Sequence, residues 1–385
     1  MKKLAIIGGG VMASYFGEAC KRLNYESHYF SMLDGKVDDS KIDYFHEINI
    51  FDKDTIVSIC KDIGIEGVVA TTELTVPITA YVANKLGLLG NPVEVANVIT
   101  DKYRNRECIK DLTDLLSPKY TIASSIDDIY SANIPYPIIL KPVSLGGKRG
   151  LTVVHNENEL SLAFDYAKEC FKDAEPRIIV EQYLEGGIEC SVESISYKGN
   201  HTVVQITKKD SAGPPHCVEL GHHQPAQINK DVWDKIVKGV CSGLVAIGLT
   251  DGPCHTEVKI IDNNIYLIEF NARPGGGHIW WPMVELSTGF DIMAAVVQAA
   301  VGEMPTITVS EFDKRFSGLY YVVKQTSYLK EIFDACEKEE WCWGRNYVSD
   351  EMIELTKNDM EHTNYMIYAS EDGDPIAKLL NNDLK

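Results

Sequence analysis

Short apolar runs alternate with helical patterns along residues 1–90, and this alternation limits the folds open to the chain more than any other feature. The apolar runs predict strands at 4–7, 27–30 and 68–70, and the segments around them predict helices at 12–23, 55–63 and 76–86. Repeated strand–helix units are typical of a parallel sheet with helices packed on it. We therefore predict an N-terminal doubly wound domain at 1–92, which ends at the turn-rich Gly90-Asn91-Pro92.

The rest of the chain predicts three further units. Residues 93–184 indicate a linker helix and a small α+β lobe, and residues 185–301 a larger, mostly antiparallel lobe. Residues 302–385 predict a C-terminal extension of strands around a helix, and they contain no motif that indicates chemistry.

Charge and cysteine usage exclude several classes of protein. The chain has 37 basic and 56 acidic residues, and its net charge of −19 disfavours binding to nucleic acid or to an anionic membrane. Its 10 cysteines form no CxxC pair. The start has four apolar residues before a glycine, too few for a signal-peptide core, and no stretch approaches the length of a membrane span. We expect a cytoplasmic enzyme with neither nucleic-acid nor membrane partners.

A glycine-rich turn after the first strand suggests a nucleotide. Gly8 to Ala13 fits G-x-G-x-x-G/A, and Asp34 lies near the position of a ribose-binding acid. The pattern alone favours a dinucleotide-dependent oxidoreductase. The signal is weak, because any ligand-binding doubly wound domain uses glycines at this turn.

The most informative segment runs from His255 to Gly277 and predicts a β-hairpin around Asp262-Asn263-Asn264. With that three-residue loop, Glu257 faces Glu269, His255 faces Asn271 and Lys259 faces Leu267. Side chains alternate along a strand, so Glu257, Glu269 and Asn271 share one face. The other face carries apolar side chains and predicts the core: Val258, Ile260, Ile268 and Phe270.

Two carboxylates placed directly opposite each other repel, and a cation between them removes that cost. Glu257, Glu269 and the amide oxygen of Asn271 form a set of hard oxygen ligands that suits Mg²⁺ bridging nucleotide phosphates. The sequence therefore predicts a metal site on this face, next to Arg273 and the glycines at 275–277.

The pattern E-x11-E-x-N-x-R-x-G-G resembles the metal-binding signature of the ATP-grasp superfamily. The surrounding residues are similar to its carboxylate–amine ligase branch, which includes L-amino-acid ligases, over roughly residues 66–300. The resemblance implies an α/β and α+β fold. In it, the doubly wound domain precedes a two-lobed ATP-grasp domain and a small C-terminal α+β extension.

The resemblance implies ATP as cofactor with Mg²⁺, two ions in number, and with Mn²⁺ as an alternative ion. Lys141 ends an apolar strand, where a lysine needs an anionic partner. The glycine-rich 144–150 resembles a loop that covers phosphates, and 181–189 resembles a hinge that holds base and ribose. The implied nucleotide contacts are Lys102, Lys141, Ser144, Gly146, Gly147, Lys148, Glu181, Gln182, Tyr183, Leu184 and Glu189.

The resemblance also implies a substrate contact from Glu73, although Glu73 fits a helix-capping role equally well. Arg273 is the candidate catalytic residue, because its planar fork matches a carboxylate or an acyl phosphate. Gly275, Gly276 and Gly277 add backbone donors to the same anion.

These features predict a ligase that joins a carboxylate to an amine through an acyl phosphate and releases ADP and phosphate, with an amino acid as one substrate. A bicarbonate-dependent carboxylase is the alternative within the superfamily. Three points stay open: whether Glu219, His222 or His223 lines the site, whether Trp280 and Trp281 form a substrate pocket, and whether the chain is a homodimer.

Overall fold

The computed structural model describes residues 1–33, 37–172, 174–305, 307, 315–355 and 363–382. Asp34, considered above as a ribose-binding acid, lies outside them. The described strands form three sheets of four, four and eight strands, and the sheets follow one another along the chain.

The first sheet is parallel and confirms the predicted doubly wound domain. Its strands are β1 (Lys3–Ile7), β2 (Glu26–Ser31), β3 (Tyr44–Glu47) and β4 (Gly67–Ala70), in the order β3-β2-β1-β4. Its helices are α1 (Met12–Arg22), α2 (Lys53–Ile63) and α3 (Val76–Leu86). The edge strand β3 was not predicted, because its side chains are largely exposed and form no apolar run. Gly87 ends α3 with a φ of 68°, as a left-handed helix cap does.

Two helices, α4 (Val93–Ile99) and α5 (Lys102–Ile109), lead to the second sheet. This sheet is antiparallel and contains β5 (Tyr120–Ala123), β6 (Ile138–Pro142), β7 (Thr152–Val154) and β8 (Ile178–Gln182), in the order β5-β8-β6-β7. The helices α6 (Ile126–Ala132) and α7 (Glu157–Glu169) belong to this lobe. Buried Leu160 and Phe164 of α7 pack with Leu140 and Val180 of the sheet and close a core of its own.

The third sheet has eight strands and extends beyond the predicted large lobe. Its order is β13-β12-β9-β10-β11-β14-β16-β15. The strands are β9 (Ile188–Tyr197), β10 (Asn200–Ser211), β11 (Glu219–Gln224), β12 (Gly252–Ile261), β13 (Asn264–Asn271), β14 (Phe316–Val322), β15 (Cys342–Asn346) and β16 (Asn364–Ser370). The bounds of the four domains stay a prediction, but β11 pairs with β14, so this sheet continues across the expected boundary at residue 301.

Five further helices accompany this sheet: α8 (Lys230–Ile247), α9 (Glu285–Thr288), α10 (Ile292–Ala300), α11 (Lys330–Ala335) and α12 (Pro375–Asn382). Helix α8 buries Val232, Ile236, Val240 and Leu244, which recur every four residues and so share one helix face. This face packs against Phe270 of β13 and fixes the sheet from behind.

The hairpin β12–β13 confirms half of the predicted register and corrects the other half. His255 pairs with Asn271 and Glu257 with Glu269, as predicted, whereas Lys259 pairs with Tyr266 rather than with Leu267. The turn has two residues, Asp262 and Asn263, and both have a positive φ, as a type I′ turn requires.

A β-bulge at Ile268 restores the predicted pairing closer to the site. As a result, Leu267 joins the core, while Ile268 is only partly buried and faces a cavity. The prediction that Ile268 lies on the core face was therefore wrong.

Within the described part of the chain, no single helix has the length and apolarity of a membrane span. One bent pair, Ile279–Thr288 with Ile292–Ala300, meets both criteria jointly across a 114° bend.

Candidate active site

A cavity of about 600 Å³ opens between the second and third sheets, and the wall includes most of the residues predicted from the sequence. Those that line it are Lys102, Lys141, Gly146, Gly147, Lys148, Glu181, Gln182, Tyr183, Leu184, Glu189, Glu257, Glu269, Arg273 and Gly276. Five others do not line it: Glu73, Ser144, Asn271, Gly275 and Gly277. Ser144 is exposed, so its predicted nucleotide contact has no support from its position.

Glu257 and Glu269 stand opposite each other on the cavity wall, and each is held by a lysine. Lys102 Nζ lies 3.0 Å from Glu269 Oε2, and Lys209 Nζ contacts Glu257 Oε1. Burial raises the pKa of both carboxyls, but the neighbouring ammonium groups outweigh it and hold both pKa values below the ordinary range. Both carboxylates are therefore ionised at neutral pH.

Asn271 completes this oxygen set. Its Nδ2 donates to Glu269 Oε1 at 2.9 Å, and its Oδ1 is buried without a hydrogen-bond partner among the described residues. A buried acceptor without a partner is costly, and a cation beside it removes the cost. The described part of the chain contains no group of three or more His, Cys, Asp or Glu side chains that could hold a metal ion. The set of two carboxylates and one amide oxygen nevertheless fits Mg²⁺ by its chemistry.

Lys209 is the most important residue that the sequence analysis missed. Its side chain is 1% exposed and lies 2.8 Å from Glu219, in contact with Glu257 and 3.9 Å from Glu189. Burial lowers the pKa of Lys209, but these carboxylates raise it well above its usual value. The only sequence signal was a lysine pair inside a strand, which is common on protein surfaces.

A second buried charge cluster forms the wall on the side of β6 and β8. Glu181 accepts from Arg106 Nε at 2.6 Å and from Lys141 Nζ at 2.7 Å. Burial raises the pKa of Glu181, but Arg106 and Lys141 lower it to about 2. Arg106 also donates to the carbonyl of the bulged Ile268 at 2.8 Å and so joins β8 to β13. Lys141 thus has the anionic partner that its burial requires, and the adenine contact of Glu181 stays a prediction.

The stretch from Gln182 to Leu184 crosses between the two lobes. The N–H groups of Gln182 and Tyr183 donate to Lys119 and Pro137, at 2.8 and 2.9 Å. The contact of the Gln182–Leu184 backbone with adenine stays a prediction. Glu189 lines the same part of the cavity, 3.8 Å from Lys148 Nζ, and its ribose contact stays a prediction.

The glycine-rich loop after β6 folds over the cavity. A Cβ at Gly146 would lie 2.5 Å from Glu73 Oε2, so a larger residue there would require the Glu73 carboxylate to shift. Glu73 is also 4.0 Å from Lys102 Nζ, and its Oε2 is buried without a partner among the described residues. Burial raises the pKa of Glu73, against the opposing effect of Lys102. Glu73 of the N-terminal domain therefore lies against the loop at 144–150.

Arg273 and the following glycines form the end of the cavity next to the carboxylates. Arg273 lines the wall, and its Nη1 donates to the Pro274 carbonyl at 2.8 Å. A Cβ at Gly275 would lie 2.5 Å from His255 Nδ1, whereas the Cβ position of Gly276 is open. The carbonyl of Gly277 lies 3.1 Å from His222 Nδ1, which fixes the end of the glycine run.

Comparison with known proteins gives the family of this arrangement. Residues 134–280 match the model of the ATP-grasp domain, and they contain both charge clusters apart from Lys102 and Arg106 of α5. The chain carries an ATP-grasp domain. The prediction of an ATP-grasp ligase is confirmed by its relatives and structural neighbours.

Two curated proteins illustrate the sequence similarity of the ATP-grasp domain. The formate-dependent phosphoribosylglycinamide formyltransferase of Prochlorococcus marinus (strain NATL1A) is 25% identical over 299 residues, 71% of this chain and 70% of that enzyme. The alanine–anticapsin ligase of Bacillus subtilis is 26% identical over 251 residues, 60% of this chain and 52% of the ligase. The matched region thus spans about half of the latter.

Two solved structures share the fold over the whole chain. An L-amino acid ligase from Bacillus licheniformis superposes with a TM-score of 0.83 at 21% identity and covers 100% of this chain and 97% of its own. An N5-carboxyaminoimidazole synthetase from Staphylococcus aureus, crystallised with ADP, superposes with a TM-score of 0.78 at 16% identity. The match covers 100% of this chain and 97% of the synthetase chain.

The three side chains left open after β10 have different places in the ATP-grasp domain. Glu219 lines the cavity, while His222 is fully buried behind it, with Nε2 2.8 Å from Glu219 Oε2. His223 lies 2.9 Å from Asp210 and 3.2 Å from the hydroxyl of Tyr368 in the C-terminal strands. Only Glu219 is therefore in a position to contact a ligand in the cavity.

The two tryptophans do not line the ATP-grasp cavity. Trp280 is fully buried, and its Nε1 donates to Glu193. Trp281 packs between Tyr15 and Trp343, with ring centroids 4.4 and 5.7 Å away. Both act in packing, whereas Tyr320 and Tyr328 of the C-terminal stretch line the cavity, although no motif there indicated a site.

His255 links Glu257 to the buried Glu193. Its Nδ1 lies 2.9 Å from Glu193 and its Nε2 3.3 Å from Glu257. Burial lowers the pKa of His255, but Glu193 and Glu257 raise it to about 9. The imidazolium therefore persists at neutral pH and holds Glu257 from the side opposite the hairpin turn.

Proposed function

We propose that this ATP-grasp domain joins a carboxylate to an amine through an acyl phosphate, with release of ADP and phosphate, and that one substrate is an amino acid. The observation that carries the proposal is one cavity whose wall brings two ionised carboxylates together with Lys102, Lys209 and Arg273. Behind Glu269 lies Asn271, whose amide oxygen has no hydrogen-bond partner among the described residues. Such a cavity suits phosphoryl transfer, where charge neutralisation and alignment matter more than a protein nucleophile.

In the first step, a substrate carboxylate oxygen attacks the γ-phosphorus of ATP, and the bond to the β–γ bridging oxygen breaks. Lys102 and Lys141 hold the triphosphate, and the loop at 144–150 covers it. Glu257, Glu269 and Asn271 would hold Mg²⁺, two ions as predicted, which neutralises the phosphate oxygens when bound. Arg273 orients the carboxylate and stabilises the charge on the acyl phosphate.

In the second step, the amine nitrogen attacks the acyl carbon, phosphate leaves and the nitrogen loses a proton. Of the glycines at 275–277, Gly276 lines the cavity and supplies backbone groups near this anion. Glu73 lies 4.0 Å from Lys102 Nζ. The amino-acid substrate is supported by similarity to the alanine–anticapsin ligase. The homodimer, the cytoplasmic location and the replacement of Mg²⁺ by Mn²⁺ remain predictions.

A phosphate-release screen tests the proposal. The protein is given ATP and Mg²⁺ with pairs of amino acids in one arm, and with bicarbonate and an amine in the other. We expect phosphate and ADP from at least one amino-acid pair, and a hydroxamate when hydroxylamine is added. AMP as the stoichiometric product would rule out the mechanism, and turnover only with bicarbonate would establish the carboxylase alternative.

Two other classes of protein would give different results in such assays. A non-catalytic nucleotide-binding module would bind ATP and release no phosphate with any substrate. A dinucleotide-dependent oxidoreductase would bind NAD(H) and change its absorbance.

A further inference from the structure

The ammonium of Lys209 is surrounded by carboxylates from three strands. Glu189 lies on β9, Glu219 on β11 and Glu257 on β12, while Lys209 itself lies on the intervening β10. The ammonium is buried, so these contacts are not exchanged with water. Each of the two carboxylates predicted to hold a metal is thus already in contact with a lysine: Glu257 with Lys209, and Glu269 with Lys102.

The local charge leaves little room for a divalent cation beside Lys209. Lys148 Nζ lies 3.4 Å from Glu219 and 3.8 Å from Glu189, so two ammonium groups share three carboxylates. The His255 imidazole contacts Glu257 from a further side. A divalent cation placed on Glu257 would stand next to the Lys209 ammonium, and like charges at such distances repel strongly in a buried site.

We propose that Lys209 is a tethered cation that occupies Glu257 in the nucleotide-free protein, opposes binding of a free divalent cation there, and turns to the phosphate oxygens when metal and ATP enter together. Glu219 provides the pivot, because it is a second buried carboxylate 2.8 Å from the Lys209 ammonium and is not one of the predicted metal ligands. Lys209 lines the same cavity as Lys102 and Lys141, so phosphates bound there lie within its reach. The inference rests on the proposed function only in taking Glu257, Glu269 and Asn271 as the metal site.

The test is a titration of the nucleotide-free protein with Mn²⁺, in which free Mn²⁺ is followed by electron paramagnetic resonance. Lys209→Met removes the ammonium from Glu257 and leaves the His255 contact in place, and we expect Mn²⁺ to bind about tenfold more tightly or better than in the wild type. Lys208→Met is the matched control. It removes the adjacent lysine, which is half-exposed and paired with Asp210, and should leave Mn²⁺ affinity unchanged.

A second arm measures affinity for ADP in the presence of Mn²⁺. If Lys209 turns to the phosphates, Lys209→Met should weaken ADP binding about tenfold while it strengthens binding of the ion alone. These opposite effects distinguish a tethered cation from a merely structural lysine, whose loss would lower the thermal midpoint and change neither affinity in this way. Unchanged Mn²⁺ affinity in the nucleotide-free variant would overturn the proposal.

Two more variants complete the design. Lys209→Gln keeps hydrogen bonds to Glu219 and Glu257 without the charge. It should reproduce the gain in Mn²⁺ affinity, and it serves if the methionine variant does not fold. Adding Glu269→Gln to Lys209→Met should abolish the gain, because it removes a predicted metal ligand. A gain that survives would show that the ion binds elsewhere and would refute the inference. The titrations need no turnover, so they stand even if no substrate pair releases phosphate.

Discussion

Replacing Arg106 with methionine removes one of the two cations that hold the buried Glu181. The side chains of Arg106 and Glu181 are 1% and 2% exposed, so water does not replace the lost partner. Methionine keeps most of the apolar volume of the side chain, so the change tests the charge and the hydrogen bonds rather than packing. The hydrogen bond to the Ile268 carbonyl, which joins the second and third sheets, is lost as well.

The expected cost follows from the pKa of Glu181. Lowering that pKa from 4.5 to about 2 corresponds to about 3 kcal/mol of stabilisation of the ionised carboxylate, at ~1.4 kcal/mol per pKa unit. Breaking a buried ion pair by removing one partner costs about 3–5 kcal/mol. Lys141 remains on Glu181, so we expect Arg106→Met to lower the free energy of unfolding by about 3 kcal/mol at pH 7.

The assay is urea unfolding followed by circular dichroism, with Arg104→Met as control. Arg104 lies on the same helix, is 39% exposed and pairs with an exposed Glu94, so its loss should change stability by less than about 0.5 kcal/mol. Arg106→Met should also weaken ATP binding, because Glu181 and Lys141 line the cavity.

The pH dependence provides a second check. A carboxyl whose pKa is lowered in the folded protein contributes stability above its unfolded value of 4.5, and this contribution is lost as the pH falls toward about 2. The deficit of Arg106→Met should therefore be full at pH 7 and shrink between about pH 4.5 and 2. Wild-type stability of the variant at pH 7, or a deficit of equal size at pH 3, would refute the reasoning.

Three other substitutions test separate parts of the site. Arg273→Lys should slow turnover at saturating substrate by about 10²–10³ while ATP affinity, measured by titration, stays unchanged; loss of ATP affinity with turnover intact would make Arg273 a nucleotide residue. Glu269→Gln should abolish phosphate release yet leave a wild-type circular dichroism spectrum, and near-normal activity at low Mg²⁺ would refute its role as a ligand. The pKa of His255 is raised from 6.5 to about 9, so its imidazolium adds up to about 3 kcal/mol to the free energy of unfolding below pH 6.5. This stabilisation is lost as the pH rises through 9. His255→Gln should show no such loss in urea titrations at pH 6, 8 and 10, and a loss equal to that of the wild type would contradict the assignment.

Local patterns predicted the elements well, because each depends on neighbours in sequence. Periodicity placed α3 at its observed bounds, and the hairpin register counted from the turn placed Glu257 opposite Glu269. The same rule failed closer to the turn. A two-residue turn and a bulge at Ile268 offset each other, and the alternation of apolar residues does not reveal such a pair of changes.

Contacts between distant residues could not be predicted in the same way. Lys209 meets Glu257, 48 residues away, and Arg106 meets Glu181, 75 residues away. Nothing beside Lys209 or Arg106 in the sequence shows which carboxylate it will meet. The carboxylates could therefore be predicted from their motif, whereas Lys209 and Arg106, two of the cations that hold them, could not.

The pairing of β11 with β14 determines how the chain can be cut and recombined. A protein shortened to residue 301 would expose an open edge on β11, the strand that carries Glu219, and open edges favour association between chains. A chimaera that takes its final segment from another protein must provide a strand in register with Gly221 and His222, together with the aromatic wall formed by Tyr320 and Tyr328. Replacing the final segment alone with that of a homologue would therefore divide the eight-stranded sheet between two parent proteins. A crossover before β9 would take all eight strands from one parent.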